Sequence, residues 1–539
     1  MEILELSLPS SNLFVQTLLN KQLHTDFYFH YDIHNQKAYS HRVEELKSRS
    51  FKREELVNCL LQYNERFQSQ TVNNNIEKLR DPESTAVIGG QQAGLLTGPL
   101  YTIHKILSVL SLAKQQEKAL NKPVVPVFWI AGEDHDFAEI NHLFIQDKYR
   151  VKKKSISQMP FQKSSVSNLA IDSAKCRQWI DDIFESFGET NFTNEIKAQV
   201  LLSLEKSETF VDFFEWLIMD LFKNQGLILV NSAHPELRKL EIDYFQQLIQ
   251  HNESIEKAVR EQQDVMKKNG FSPIIEMTEN SANLFYEHEG ERLLLQKENG
   301  SFVHKDTGLC IEESEIFDLL SIHPERFSNN VVTRPIMQEC LFPTLAFIAG
   351  PGELTYWGEL KKAFEVLNLK MSPVVPRLNI TLLERAIESE INEMNLDLLT
   401  VMTEDLEEMK EAWVDKRRTV AFQPLAEEIK KEIDNLHARL REAAIAVDGS
   451  LEGYVQKNAG FIQSQIALLE KTVEKSIRLQ NYNGISKFER IANSIKPNRQ
   501  PQERIWNIYY YLNKYGSNIL QDLTELPYSF NYQHKVVKI

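Results

Sequence analysis

Three apolar runs in this chain end on glycine and lead into a helical pattern. No other feature of the sequence constrains the fold as tightly. The runs are "TAVIGGQQAG" from Thr85, "VVPVFWIAG" from Val124 and "FPTLAFIAGPGELTYW" from Phe342. Each is rich in Val, Ile and aromatic residues and too short for a buried helix, so each reads as a strand covered on both faces. Between the first two lies "GPLYTIHKILSVLSLAKQQEKAL", with Pro99 placed for a first helical turn. Strand, helix, strand in that order requires a right-handed crossover and a parallel sheet. "GLILVNSAHPELRKL" from Gly226 repeats the strand-to-helix pattern, and "SPVVPRLNI" from Ser372 adds another strand. "SPIIEM", "NLFYEH", "RLLLQ" and "FVHKD" predict a small antiparallel meander inserted into that sheet. Residues 1–80 read mostly as helix.

From Thr381 to about Gln480 the texture changes to Glu, Lys, Leu, Ile and Ala. Val455, Ala459, Ile462, Ile466, Leu469 and Val473 step as a heptad seam. Ile433, Leu436, Leu440, Ala443 and Val447 give a second seam, and Asp448-Gly449-Ser450 lies between them. Two helices folding back at that turn make an antiparallel coiled-coil arm, a device for joining two copies of the chain. The expected fold class is α/β, a parallel-sheet core with connecting insertions and this arm.

A chain of 539 residues divides into two or three units. The expected division is residues 1–380 for the core, with insertions at about 141–225 and 232–330, then 381–499 for the arm. Residues 500–539 carry an aromatic amphipathic helix that returns to the core. A net charge of −15 excludes a general nucleic-acid or anionic-membrane binder, which needs a basic face. No apolar run approaches 18 residues, and "MEILELSLPSSNLF" lacks the pattern of a signal peptide. Four isolated cysteines give no ligand-like spacing, so no metal is expected. The expectation is a cytoplasmic protein.

The strand from Val124 runs into "GEDHDFAEINH", a cluster of ionisable groups at a strand's carboxyl end. Open parallel sheets bind ligands beyond those ends. His135 is the candidate acid–base group, and Asp134 and Asp136 are candidates to grip an amine, a hydroxyl or a cation. Substrate-binding candidates at the three strand ends are Gln91, Gln92 and Gly94, then Gly132, then Gly352, Glu353 and Tyr356. The first glycine loop is neither a dinucleotide fingerprint nor a Walker loop. Its helix opening at Gly98 can still receive phosphate, and Arg504, Trp506 and Tyr509 are the alternative nucleotide site.

Taken together, "PSSNLF", "VIGGQQAGLLTGPLYTIHK", "PVFWIAGEDHDFAEINH", "FIAGPGELTYWGEL" and the helical arm resemble the cysteine ligase family of bacillithiol biosynthesis over nearly the whole chain. The resemblance implies a Rossmann-like core related to class I aminoacyl-tRNA synthetases and a coiled-coil domain that pairs two chains. It implies addition of cysteine to glucosaminyl malate by amide formation. Joining a carboxylate to an amine in water needs an activated carboxyl, so ATP or ADP is the expected cofactor. His104 stands where one histidine of the synthetase HIGH signature would be, and Lys370-Met371-Ser372 matches the start of the synthetase ATP loop; the rest of HIGH is absent. Lys105, Arg334 and Arg377 are the candidates for malate carboxylates. The competing reading is a non-catalytic nucleotide- or thiol-binding dimeric regulator.

Overall fold

The computed structural model describes residues 1–148, 150–159 and 164–539. Two compact units form, one of residues 1–382 with 500–539 and one of residues 383–499. The strands in chain order are β1 (Glu2–Leu6), β2 (Thr85–Gln91), β3 (Val124–Ile130), β4 (His142–Asp147), β5 (Arg150–Ser155), β6 (Ile228–Asn231), β7 (Ser281–His288) and β8 (Glu291–Glu298). They continue as β9 (Ser301–His304), β10 (Leu309–Glu312), β11 (Phe327–Asn329), β12 (Thr344–Ala349), β13 (Val374–Pro376), β14 (Ile380–Leu383) and β15 (His534–Lys538).

The core sheet has the order β13-β12-β2-β3-β6, with every neighbouring pair parallel. All seven residues of β3 are buried, as a central strand between two helical layers requires. From β2 the sheet builds one way through β3 to β6, and the other way through β12 to β13. The winding therefore reverses between β2 and β12, and crevices open at such a reversal. The helix Leu100–Leu120 makes the first crossover and buries twelve of its residues.

Between β6 and β12 lies the antiparallel sheet β10-β9-β8-β7-β11. "SPIIEM" contributes no strand to it. The amides of Ile274 and Ile275 instead donate to the Glu359 carboxylate, at 2.7 Å and 3.3 Å to Oε1, a side-chain acceptor that replaces a strand partner. An unexpected third sheet, β1-β15-β14, joins the two ends of the chain, with Glu2 to Leu6 in antiparallel register with Lys538 to His534. Lys535 is buried and bonded to Glu5 at 2.7 Å.

In the second unit the long helices Phe422–Val447 and Glu452–Gln480 run antiparallel about the turn Gly449–Leu451. The Asp448 side chain caps that turn by accepting from Ser450 N at 2.9 Å. The second expected seam is displaced. His437 is buried, its Nε2 lies 2.8 Å from Asn458 Oδ1, and Lys430 pairs with Glu470 at 2.6 Å. Leu436, Leu440 and Val447 face outward at 62%, 67% and 85% exposure. Phe461, Leu468 and Leu469 are likewise exposed on the other helix. One apolar stripe of the hairpin is therefore not used within it.

Candidate active site

A cavity of about 600 Å³ opens at the reversal of the sheet. Its floor is the carboxyl ends of β2 (Gly90, Gln91), β3 (Trp129, then Ala131 and Asp134) and β12 (Phe347, then Gly350 to Glu353). The helix Leu100–Leu120 contributes Tyr101 and Lys105, four residues apart and so on one helical face. Arg334, Arg377 and Arg504 add guanidinium groups, and Glu139 and His142 enter from the segment leading into β4.

Most of these charges are committed to each other. Lys105 Nζ donates to Gly90 O at 2.6 Å and to Glu353 Oε2 at 2.5 Å. Burial lowers the Lys105 pKa even though Glu353 acts against it. The same Glu353 oxygen accepts from Gly350 N at 2.6 Å and ties the turn after β12 to the lysine. Asp134 Oδ1 accepts from Arg334 Nη2 at 3.1 Å. Burial opposes its ionisation, but Arg334, Arg292 and the Gln92 amide outweigh burial and hold its carboxyl below the ordinary value. Behind it, Glu133 joins Arg334 Nε at 3.2 Å and also binds Arg238. Arg377 grips Glu503 through both carboxylate oxygens, at 2.7 Å and 2.5 Å, and His104 Nδ1 lies 3.1 Å from the same carboxylate.

Gln91, Gln92, Lys105, Asp134, Arg334, Gly352, Glu353, Tyr356, Arg377 and Arg504 thus stand around one cavity. The others do not. His135 points away from it: Arg292 Nη1 donates to its Nδ1 at 3.2 Å, and its ring meets Phe285 of the inserted sheet. Asp136 is exposed and caps the short helix Phe137–Ile140 by accepting from Ala138 N at 3.0 Å. Gly132 is packed so closely under Ser167 and Asn231 that a Cβ would collide with both, so its place is steric. Gly94 is buried in the turn after β2, and Gly98 has φ +71, which glycine supplies to that turn. His104 is buried behind the cavity wall, against Glu503.

The expected aromatic nucleotide site does not form either. Trp506 and Tyr509 are 5% and 2% exposed, with Trp506 stacked on Tyr510. The Gly98 carbonyl accepts from Asn507 Nδ2 at 2.6 Å, and Leu100 N donates to Trp506 O, so protein already covers that helix opening. Met371 and Ser372 are buried, and Met371 N donates to His30 Nδ1 at 3.0 Å.

Sequence reasoning passed over Tyr101, Glu139 and His142. Helical spacing from Lys105 would have found Tyr101. Glu139 and His142 stood in the ionisable run, three apart, and needed only the turn at Asp136 to bring them round. Burial and Lys153 lower the His142 pKa from its ordinary value, so the imidazole is neutral at neutral pH. Among the described residues, no three His, Cys, Asp or Glu side chains are placed to hold a metal ion, and no helix is long and apolar enough to cross a membrane.

Comparison with known proteins gives a consistent answer along the whole chain. Residues 1–378 match the N-terminal Rossmann-like domain of bacillithiol biosynthesis BshC, and residues 380–539 match its C-terminal coiled-coil domain. A Bacillus licheniformis protein described as "Putative cysteine ligase BshC" is 49% identical over 539 residues, covering 100% of both chains. Proteins with the same description from Bacillus velezensis and Bacillus pumilus are 50% and 42% identical, again over 100% of both chains.

Proposed function

Because this chain belongs to the bacillithiol biosynthesis BshC family, we propose that it is a cysteine ligase that joins cysteine to glucosaminyl malate through an amide bond, the last step in making bacillithiol. The observation that supports the reading best is the cavity at the sheet reversal. It is large enough for substrates of this size and combines cations, carboxylates and a neutral imidazole.

Amide formation needs an amine in its free-base form and a stabilised developing oxyanion. His142 is the group suited to take the amine proton, because it lines the cavity and its lowered pKa keeps it unprotonated. Arg334 and Arg377 supply fixed positive charge along the wall. Each is held by a buried carboxylate, so it enters the reaction already oriented. A free carboxylate does not acylate an amine in water, so ATP or ADP as activating nucleotide belongs to the same proposal. Its phosphates would meet Lys105 and Arg377 in the cavity. The Gly98 turn and the faces of Trp506 and Tyr509 do not fit a nucleotide.

The outward apolar stripe of the hairpin supports a homodimer formed through the arm, since a face of this kind is normally covered. A cytoplasmic location fits the four free cysteines. The function is tested by incubating purified protein with L-cysteine, glucosaminyl malate and ATP and detecting bacillithiol by mass spectrometry. Absence of product under conditions where the Bacillus licheniformis relative forms it would refute the assignment.

A further inference from the structure

Pairing off the charges that line the cavity leaves an uncommitted remainder. Lys105 is taken by Glu353, Asp134 by Arg334, and Arg377 by Glu503. Glu139 and Arg504 have no ion-pair or hydrogen-bond partner among the described residues, and no bridge joins them to each other. Both are exposed to the water of the cavity.

Both line the cavity together with Tyr101. Burial pushes the Tyr101 phenol up, Glu139 raises it further, and Arg377 and Arg504 lower it, which accords with both groups standing near this ring. A lone anion at Arg504 would lie beside an unpaired Glu139. A lone cation at Glu139 would lie beside an unpaired Arg504. Only a ligand carrying both charges a short distance apart satisfies the two groups together, at no net change in charge.

We propose that Glu139 and Arg504 form the amino-acid subsite, with Arg504 receiving the α-carboxylate and Glu139 the α-ammonium of a small zwitterionic amino acid. That the amino acid is cysteine rests on the ligase reading above. Neither group contacts the side chain of such a ligand, so the pair selects for a free amino acid as a class. The site therefore favours an amino acid that arrives unmodified over one already acylated at nitrogen or esterified.

Titration calorimetry on the full chain, with L-cysteine, cysteamine and 3-mercaptopropionate as probes, tests this. Cysteamine lacks the carboxylate and 3-mercaptopropionate lacks the amine. Arg504→Gln should weaken cysteine about 10- to 100-fold, the range for one charged hydrogen bond, while changing cysteamine less than about twofold. Glu139→Gln should weaken cysteine similarly and leave 3-mercaptopropionate unchanged. Equal losses for cysteine and cysteamine in Arg504→Gln, no loss in either variant, or no binding of cysteine to the unaltered chain at millimolar concentration would each overturn the proposal. Product formation separates the two readings. The expected analogue profile without bacillithiol would support the subsite and refute the ligase. Bacillithiol with an unchanged analogue profile would do the reverse.

Discussion

Replacing Glu503 by leucine should strongly destabilise the core unit. Glu503 is 6% exposed and Arg377 5%, and two hydrogen bonds of 2.7 Å and 2.5 Å join them. His104 lies 3.1 Å away, and burial lowers its pKa, so it carries no charge that could replace the carboxylate. Removing Glu503 leaves the Arg377 guanidinium desolvated and unpaired, which costs about 3–5 kcal/mol. With a urea dependence of about 3 kcal/mol per molar, the unfolding midpoint falls by roughly 1–1.7 M. The double variant Arg377→Leu, Glu503→Leu should recover most of that loss, because exchanging a whole buried pair for apolar side chains is close to neutral. Burial opposes the Glu503 charge, but Arg377 and His104 outweigh it and hold its carboxyl well below the ordinary range. The carboxylate's stabilising effect is therefore fully present above the unfolded value near pH 4.3 and is lost as pH falls below it. The gap between wild type and Glu503→Leu should stay constant from pH 8 to about 5 and close in acid. Urea titrations followed by circular dichroism measure all of this. A loss under about 1 kcal/mol would mean that Arg377 swings into the cavity and rehydrates. That result, or strictly additive single variants, would refute the account of a desolvated unit.

Three further outcomes are expected. His142→Ala should lower bacillithiol formation by about 10²–10⁴, whereas His135→Ala, which lies off the cavity, should change it far less; full activity in His142→Ala would remove the base. Because His142 titrates below its ordinary value, kcat should hold level from pH 8 to about 6.5 and decline only in more acidic buffer, as the imidazole gains a proton. Light scattering should report a dimer for the full chain and a monomer for the double variant Leu440→Glu, Phe461→Glu, while a persisting dimer would place the interface elsewhere. Calorimetry should detect ATP or ADP binding that Lys105→Gln weakens and Trp506→Phe does not; silence at millimolar nucleotide would exclude the activation step proposed here.

The sheet was legible because its signals are local. Three of the five parallel strands announced themselves as apolar runs cut off by glycine, and the helices after β2, β6 and β12 by a proline at their start. What escaped depended on partners far along the chain. β1 lies in a stretch that reads mostly as helix, and it shows as a strand only when residues 534–538 are set beside it. His135 looked central because it sits between two aspartates, but Arg292 and Phe285, some 150 residues away, capture its ring. The hairpin seam was misread for a subtler reason. Leu436 and Leu440 satisfy the heptad by hydrophobicity alone, yet polar pairs, His437 with Asn458 and Lys430 with Glu470, make contacts across the two helices. A period identifies a face and leaves open what that face meets.

The pairing of β1 with β15 has a consequence in time. The core unit cannot close its third sheet until residues 534–538 exist, and the whole arm is synthesised between β14 and β15. At about 5–20 residues per second, the 157 residues that follow Leu382 take roughly 8–30 s to make. Throughout that interval β1 and β14 wait on the ribosome with unpaired edges, and a nascent chain in that state is exposed to edge-to-edge capture. The short length of β1 and its two exposed glutamates, Glu2 and Glu5, are the kind of protection such a wait calls for.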